Sequence, residues 1–287
     1  MTDHAGHWPL VVFTSLAIAG AGLVAASAYF ETAHAVPCAR AVIAGAVLLA
    51  AGLAVSLGHL GQKRRAGMAA RGAGRSALSN EALLAALALA AAAAAAALPA
   101  LPALSGTPAP ALAAAAGALN ALFLVSVGLV YGVRGQRTWQ GFSVWTPLTG
   151  GLAFGAIALQ STAEPGGVFP ATLLFIATDA LIFTQRWRDV TGIAFTEATL
   201  ANPWLVRRSQ LLGARFFLLD AVPFFVLAVS PSPVAALAAA AGLATDRFAF
   251  YALAVQHTTE HEVAAVETQM AAGGPEPGED ASASRDA

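Results

Sequence analysis

The amino-acid sequence predicts an all-α fold, a polytopic membrane protein built as a bundle of eight transmembrane helices. Of its 287 residues, 57% are hydrophobic and only 11% are charged, whereas soluble domains carry about 25% charged residues. The mean hydropathy is +0.68. The chain also contains eight apolar stretches, each about long enough, at roughly 1.5 Å per residue, to cross a hydrocarbon core of roughly 30 Å.

The first four helices are predicted at residues 9–30, 41–61, 81–101 and 111–133. Trp8 precedes the first as an interfacial aromatic anchor, and Pro9 is tolerated in its first turn. The third opens at Glu81 and continues through an alanine tract at residues 85–97. We interpret this tract as a close-packing surface, because small residues let membrane helices approach each other. Prolines between residues 99 and 110 mark the turn into the fourth helix.

The last four helices are predicted at residues 148–162, 168–184, 210–229 and 234–256. The fifth is short, so we expect it to begin inside the Trp145-Thr146-Pro147 segment. A Gly-Gly turn precedes the sixth helix, and a Ser-Pro-Ser-Pro turn precedes the eighth. Residues 1–256 therefore form one transmembrane anchor domain. The tail, residues 257–287, is acidic and rich in Gly, Pro and Ser, so we expect its last part to be disordered.

The basic residues are distributed unevenly between the two faces of the predicted bundle. With eight spans, the two termini and the loops after helices two, four and six share one face, and these loops carry nearly all Lys and Arg. Basic loops stay in the cytoplasm. Both termini are therefore predicted to be cytoplasmic. The same charge could also dock a partner subunit.

Ionisable residues inside membrane spans are rare and are candidates for function. In this sequence they are Asp179, Arg215, Asp220, Asp246 and Arg247. The helix directions place most of them towards the basic face. One interpretation is that the charges on helices seven and eight merely neutralise each other. The other is that they form a polar pocket, which their common depth favours.

His59 and Glu81 stand at facing ends of the second and third helices, at the same basic face. The loop between them carries a cluster of cations: Lys63, Arg64, Arg65, Arg71 and Arg75. A histidine and a carboxylate at a membrane edge can pass protons to or from a ligand. Alternatively, His59 is an interfacial helix-end residue and Glu81 is a favourable acid in the first turn of a helix.

Several kinds of cofactor chemistry do not fit the sequence. The single cysteine, Cys38, excludes an internal disulfide framework and a Cys-ligated iron–sulfur cluster. Of the six histidines only His59 lies firmly within a predicted span, so no bis-His haem is expected. His257 and His261 stand four residues apart, but at the start of an acidic tail we interpret them as a solvated helix end. No metal site is expected.

Several short motifs resemble the membrane-anchor subunits of dimethyl sulfoxide reductase-type molybdoenzymes, the DmsC family. The HLG and SALSNE motifs around His59 and Glu81 are the most specific part. The motifs run in matching order from helix one to helix eight: His7-Trp8-Pro9-Leu10, Phe13-Thr14, His59-Leu60-Gly61, Ser76-Ala77-Leu78-Ser79-Asn80-Glu81, Thr138-Trp139, Trp145-Thr146-Pro147, Arg247 and Phe250-Tyr251.

The resemblance implies a haem-free anchor in a bacterial inner membrane that binds a quinol, either menaquinol or ubiquinol. Electrons would pass through an iron–sulfur subunit to a molybdopterin catalytic subunit. The partners expected are these two subunits and the lipid membrane, with no nucleic acid. The family's quinol-site histidine and glutamate fall on His59 and Glu81. The residues expected to line the same site are Ser79, Asn80, Arg215, Asp246, Arg247 and Tyr251.

Three functions stay open at this point. The first is a quinone-reactive anchor of an oxidoreductase complex that is not an enzyme on its own. The second is a transporter or proton channel that uses the same intramembrane Asp, Arg and His residues. The third is a purely structural anchor. Quinol-dependent activity separates the first from the third.

Overall fold

The computed structural model describes residues 8–36, 38–59, 74–97, 109–131, 137–139, 141–162, 169–193 and 202–254. These residues are helical, with short turns between the helices and no strand among them. Eight long helices lie in this part of the chain: α1 (Trp8–His34), α2 (Ala39–His59), α3 (Ala77–Ala97), α4 (Ala109–Tyr131), α5 (Thr146–Gln160), α6 (Phe169–Gly192), α7 (Arg208–Val229) and α8 (Pro233–Ala252). The tail from residue 257 lies outside the described residues.

Five of these helices are long and apolar enough to cross a membrane, namely α1, α2, α3, α4 and α7. The other three differ for physical reasons. α5 has only 15 residues, while α6 and α8 carry charged residues in their sequences. The all-α fold is therefore confirmed for the described residues, and eight complete spans stay a prediction.

Helix α1 lies at the centre of the bundle. It packs against α2, α4, α5 and α8, and every residue from 17 to 28 is buried. Such a helix is apolar all round because it has no face towards solvent or lipid along this stretch. A Cβ atom at Gly22 would overlap the backbone of Gly151 in α5, and one at Gly155 would overlap the backbone of Gly22. Glycine is therefore required for this close approach.

Two helix boundaries near the site differ from the predicted ones, and a third agrees with its prediction. α3 begins at Ala77 rather than at Glu81. α5 begins at Thr146, inside the segment where its start was expected. α6 ends at Gly192 rather than at Thr184, because Arg186 and Val190 turn inwards from its last turns while Arg188 and Asp189 are exposed. A hydropathy criterion stops at the first charges, but the helix continues because its buried charge is paired.

Candidate functional site

Glu81 is turned into the helix bundle. It lies in α3, with 6% of its surface exposed, on the same face as Ala85, Ala88 and Ala92, which are also buried. These residues are spaced at about one helical turn. Because α3 packs against α2 and α4, the Glu81 carboxylate belongs to the interior of this three-helix group.

The Glu81 carboxylate is not fully satisfied by the described residues. Its Oε1 atom is buried and has no hydrogen-bond partner among the described residues. Because α3 begins at Ala77, no acidic residue lies in its first turn, so the interpretation of Glu81 as a first-turn acid is wrong. A buried polar atom without a partner is costly, and in native proteins such atoms often mark a functional position.

Two residues next to Glu81 have different surroundings. Ser79 is buried, with 8% of its surface exposed. Asn80 is exposed, and its Oδ1 accepts a hydrogen bond of 2.6 Å from the backbone N–H of Gly74. Gly74 has a φ of +80°, a left-handed conformation that favours glycine. Asn80 thus holds the turn that leads into α3, and a role of Ser79 and Asn80 in ligand binding stays a prediction.

His59 is the last residue of α2. Its side chain lies outside what the structure describes, as do residues 60–73, the basic loop that joins α2 to α3. The backbone places His59 at the end of α2 and Glu81 near the start of α3, and α2 and α3 pack against each other. Both residues therefore lie near the helix ends that the basic loop connects, as expected. The contact between their side chains stays a prediction.

A second polar region lies in the other half of the bundle and is made of ion pairs. Arg215 of α7 donates to Asp179 of α6 through Nη2 and to Asp220 of its own helix through Nη1, each at 2.6 Å. All three side chains are buried. We call these residues, Asp179, Arg215 and Asp220, the acidic triad, because two carboxylates share one guanidinium.

The neighbouring group has the opposite composition. Asp246 of α8 accepts from Arg186 of α6 at 2.5 Å and from the adjacent Arg247. We call Arg186, Asp246 and Arg247 the basic triad, because two guanidinium groups share one carboxylate. Arg215 Nε lies 3.7 Å from Asp246 Oδ1 and connects the two triads. Together the six residues form the charge network.

The first turn of α5 supplies hydroxyl groups to both triads. Thr149 donates to Asp179 Oδ1 at 2.6 Å, and Thr146 Oγ1 accepts from Arg247 Nη2 at 3.3 Å. Between them, Gly150 leaves room for Arg215, since a Cβ atom there would lie 3.3 Å from its Nη2. The Thr-Pro-Leu-Thr-Gly start of α5 thus fits against the charge network.

Aromatic rings and side-chain caps complete this region at the end of α8. The Arg215 guanidinium lies 3.9 Å from the centre of the Phe183 ring, within the range of a cation–π contact. Trp139 stacks on Phe250 at 4.7 Å and donates to the Phe250 carbonyl at 2.9 Å. Asn202 donates to the Ala252 carbonyl at 3.0 Å. These bonds satisfy carbonyl groups that the last turn of a helix leaves free.

The structure brings some of the predicted site residues together and leaves others apart. Arg215, Asp246 and Arg247 join one network of ion pairs, so the charges of α7 and α8 contact each other, while the expected role of these residues in binding a quinone stays a prediction. Tyr251 is buried beside it and meets the Phe250 ring edge-on at 5.4 Å. In the part of the chain that the structure describes, the ion pairs of this network join its own six members, and Glu81 is in none of them. The two polar regions are thus distinct sets of contacts.

Arg186 is the member of the network that sequence reasoning placed in a loop. A usable signal was present, because Asp179, Phe183, Arg186 and Val190 recur at helical spacing and are all buried on one face of α6. Within the described ranges, no three His, Cys, Asp or Glu residues are arranged to hold a metal ion. His257 and His261 lie outside those ranges.

The sequence model of the DMSO reductase anchor subunit (DmsC) family matches residues 1–236 of the chain. The match covers α1 to α7 and the Glu81 region. It ends before Asp246 and Arg247. No curated protein matches the chain.

Proposed function

The chain belongs to the DMSO reductase anchor subunit (DmsC) family, and on that basis we propose that it oxidises or reduces a quinone within its complex. As a family member it is a membrane-anchor subunit of a DMSO reductase-type oxidoreductase complex. The partners we propose are an iron–sulfur subunit, which exchanges electrons with the quinone site, and a molybdopterin catalytic subunit. We place the complex in a bacterial inner membrane, with both termini of this chain in the cytoplasm.

The proposed quinone site lies between the end of α2 and the start of α3. The observation that supports it is the Glu81 carboxylate, which is buried and has an Oε1 atom without a hydrogen-bond partner among the described residues. An atom of this kind fits the hydroxyl of a quinol, which would satisfy it. The resemblance at His59 and Glu81 points to the same place. Menaquinone and ubiquinone both have the oxygen atoms that such a site would bind.

A bound quinol supplies two electrons and two protons on oxidation. In this proposal His59 would accept a hydrogen bond from a quinol hydroxyl and take up the two protons one after the other, because an imidazole changes charge close to neutral pH. Glu81 would carry each proton from the buried site towards the basic face. The only cysteine of the chain is Cys38, which leaves no set of thiolates to hold an iron–sulfur cluster here. The electrons therefore leave for a partner subunit.

The charge network favours an anchor over the alternative, a transporter or proton channel. A carrier needs charged groups that take up and release a substrate or a proton. In this protein the three arginines and three aspartates bind one another, and α5 adds hydroxyl groups to both triads. The charges are thus engaged in holding helices together.

The experiment that tests this function separates quinone chemistry from assembly. We expect His59→Ala and Glu81→Gln to leave the complex in the membrane with full activity towards a dye that feeds the catalytic subunit directly. Activity driven by a quinol analogue should fall by about 10²-fold or more, the usual scale for a lost acid–base group. A matched control is Glu31→Gln, which changes a carboxylate near the C-terminal end of α1 and should preserve both activities.

Each outcome of this experiment has a distinct meaning. If dye-driven and quinol-driven activity fall together, His59 and Glu81 hold the complex together and the proposed chemistry is wrong. If neither activity falls, the quinone site lies elsewhere in the chain. The affinity of a quinol-site inhibitor, measured for the wild-type complex and for the Glu81→Gln complex, gives a second measurement that does not depend on turnover.

A further inference from the structure

The two triads of the charge network carry opposite net charges. The acidic triad contains two carboxylates and one guanidinium, for a formal charge of -1. The basic triad contains two guanidinium groups and one carboxylate, for a formal charge of +1. None of the six residues is more than 2% exposed. Neither triad is neutral by itself, but the network as a whole is.

Contacts between the triads make them one electrostatic unit. Arg215 Nε of the acidic triad lies 3.7 Å from Asp246 Oδ1 of the basic triad. The ring of Phe183 lies beside both, at 3.9 Å from the Arg215 guanidinium and 5.8 Å from that of Arg186. An uncompensated charge in such an apolar setting has a large desolvation cost, and an opposite charge nearby offsets it.

A local irregularity of α7 creates the acidic triad. Residues five apart in an α-helix point about 140° away from each other, so Arg215 and Asp220 could not meet in a regular helix. Between them α7 changes to a π-helical turn, Phe217–Ala221, in which the N–H of Val222 bonds to the carbonyl of Phe217. A π-turn brings residues five apart over one another.

The sequence around this turn supports its wider geometry. Pro223 follows directly and has no N–H to continue the α-helical hydrogen-bond ladder. Gly242 of α8 accommodates the widened turn, since a Cβ atom there would lie 2.5 Å from the backbone nitrogen of Leu219. The π-turn, the proline and the glycine together place Asp220 against Arg215.

We propose that the charge network is a single charge-balanced lock that fixes α6, α7 and α8 against each other and against α5. Its six charges must balance as a whole, and loss of one charge on one triad can be offset by loss of the opposite charge on the other. The lock stabilises this half of the bundle and takes no part in quinone chemistry. Its α8 members, Asp246 and Arg247, lie beyond the residues that the family model matches.

The test uses neutral polar variants in the complete membrane-bound complex. Asp220→Asn leaves the network with a net charge of +1, and Arg186→Gln leaves it with -1; both retain hydrogen-bonding groups. The double variant restores zero. We expect each single variant to lower the amount of assembled anchor several-fold, because cells degrade destabilised chains and a modest loss of stability changes abundance to that extent. The double variant should recover at least half of the wild-type amount.

Two matched controls and one further pair complete the design. Asp189→Asn and Arg188→Gln neutralise exposed charges of the same types on α6 and should leave assembly unchanged. A pair of the same sign, Asp220→Asn with Asp179→Asn, should assemble less than either single variant. Quinol-driven activity per assembled complex should stay at the wild-type value in every variant that assembles.

The proposal is overturned if the opposite-sign pair assembles no better than the weaker single variant, because the charges would then not balance across the triads. It is also overturned if the single variants assemble normally. Loss of quinol-driven activity in a normally assembled variant would instead assign the network to electron or proton transfer. The result for Glu81→Gln does not depend on any of these three outcomes. Failure of the lock and failure of the quinone site are therefore distinguishable.

Discussion

At the scale of single residues, Cys38 shows how position controls reactivity. It lies between α1 and α2, with 3% of its surface exposed, and its thiol points to the carbonyl of Val36 at 3.2 Å. Burial, and to a smaller extent the carboxylate of Glu31, raises the pKa of Cys38 to about 11. Both effects disfavour the thiolate, which is the reactive form of cysteine.

We therefore expect Cys38 to be almost inert towards a maleimide or iodoacetamide at pH 7. The thiolate forms only as the pH rises towards the raised pKa, so labelling should accelerate with pH throughout the range from 7 to about 10. Mass spectrometry of the intact subunit measures the labelled fraction. The control is Ser230→Cys in a Cys38→Ser background, which places an exposed thiol in the α7–α8 turn. Equal labelling rates at pH 7 would contradict the prediction.

Glu81 and the charge network show two ways of placing ionisable groups among apolar helices. The six members of the network pair with one another through short bonds. Glu81 has an oxygen that no described residue satisfies. Asp220 Oδ1 also lacks a hydrogen-bond partner among the described residues, but its Oδ2 pairs with Arg215, whereas Glu81 is in none of the ion pairs of the network. For this reason the proposed chemistry belongs to Glu81, and the network is assigned to stability.

At the scale of the helices, close contacts of α1 depend on residues without side chains. Gly20 and Gly22 face different neighbouring helices. A Cβ at Gly20 would lie 2.5 Å from the backbone nitrogen of Leu49 in α2, and one at Gly22 would overlap Gly151 in α5. The alanine tract of α3 is less tightly enclosed, because only one face of α3 is buried, including Ala85, Ala88 and Ala92.

Substitution of Gly22 by alanine should separate α1 from α5 and destabilise the bundle. The added methyl group meets backbone atoms, which cannot rotate away as a side chain can, and overpacking of this kind costs about 1–3 kcal/mol or more. The thermal midpoint of the detergent-solubilised complex measures the effect. The matched control is Gly58→Ala, also helical, where a Cβ meets nothing within 4 Å. A Gly22→Ala midpoint equal to that of the control would show that the two helices can part without cost.

At the scale of the whole molecule, charge distribution predicts the orientation in the membrane. The loops after the second, fourth and sixth predicted helices carry nearly all the basic residues, and loops of this kind stay in the cytoplasm. In the described residues the charge network extends from the middle towards the end of α6, from the start to the middle of α7, and lies in the second half of α8. The basic loops and the two polar regions are therefore expected at the same face.

A reporter that is active only in the cytoplasm should be active when fused after residue 287. The same result is expected for a fusion within the loop of residues 63–75, because an even number of spans returns the chain to its starting face. A fusion at the Ser230-Pro231 turn follows seven spans and should be inactive. A periplasmic reporter gives the complementary measurement. Periplasmic activity at the C-terminus would reverse the sidedness, without affecting the choice of His59 and Glu81.

The sequence by itself was sufficient to locate the helices and to identify Glu81 as a candidate for function. Hydropathy is a property of consecutive residues, so the eight apolar stretches could be located to within about a turn or two. Glu81 could be identified because its motif resembles a known family and because an acid at the edge of an apolar stretch is unusual. The family match agrees with that resemblance over residues 1–236.

Only the tertiary structure decided which charges meet. Arg186 pairs with Asp246 across 60 residues of sequence, and Arg215 pairs with Asp179 across 36. Such pairs depend on the rotation of each helix about its axis and on which helices are neighbours. In α7 the rotation changes within the helix, at the π-turn before Pro223. The separation of the six paired charges of the network from the Glu81 carboxylate follows from these rotations, because a buried charge is stabilised where an opposite charge faces it.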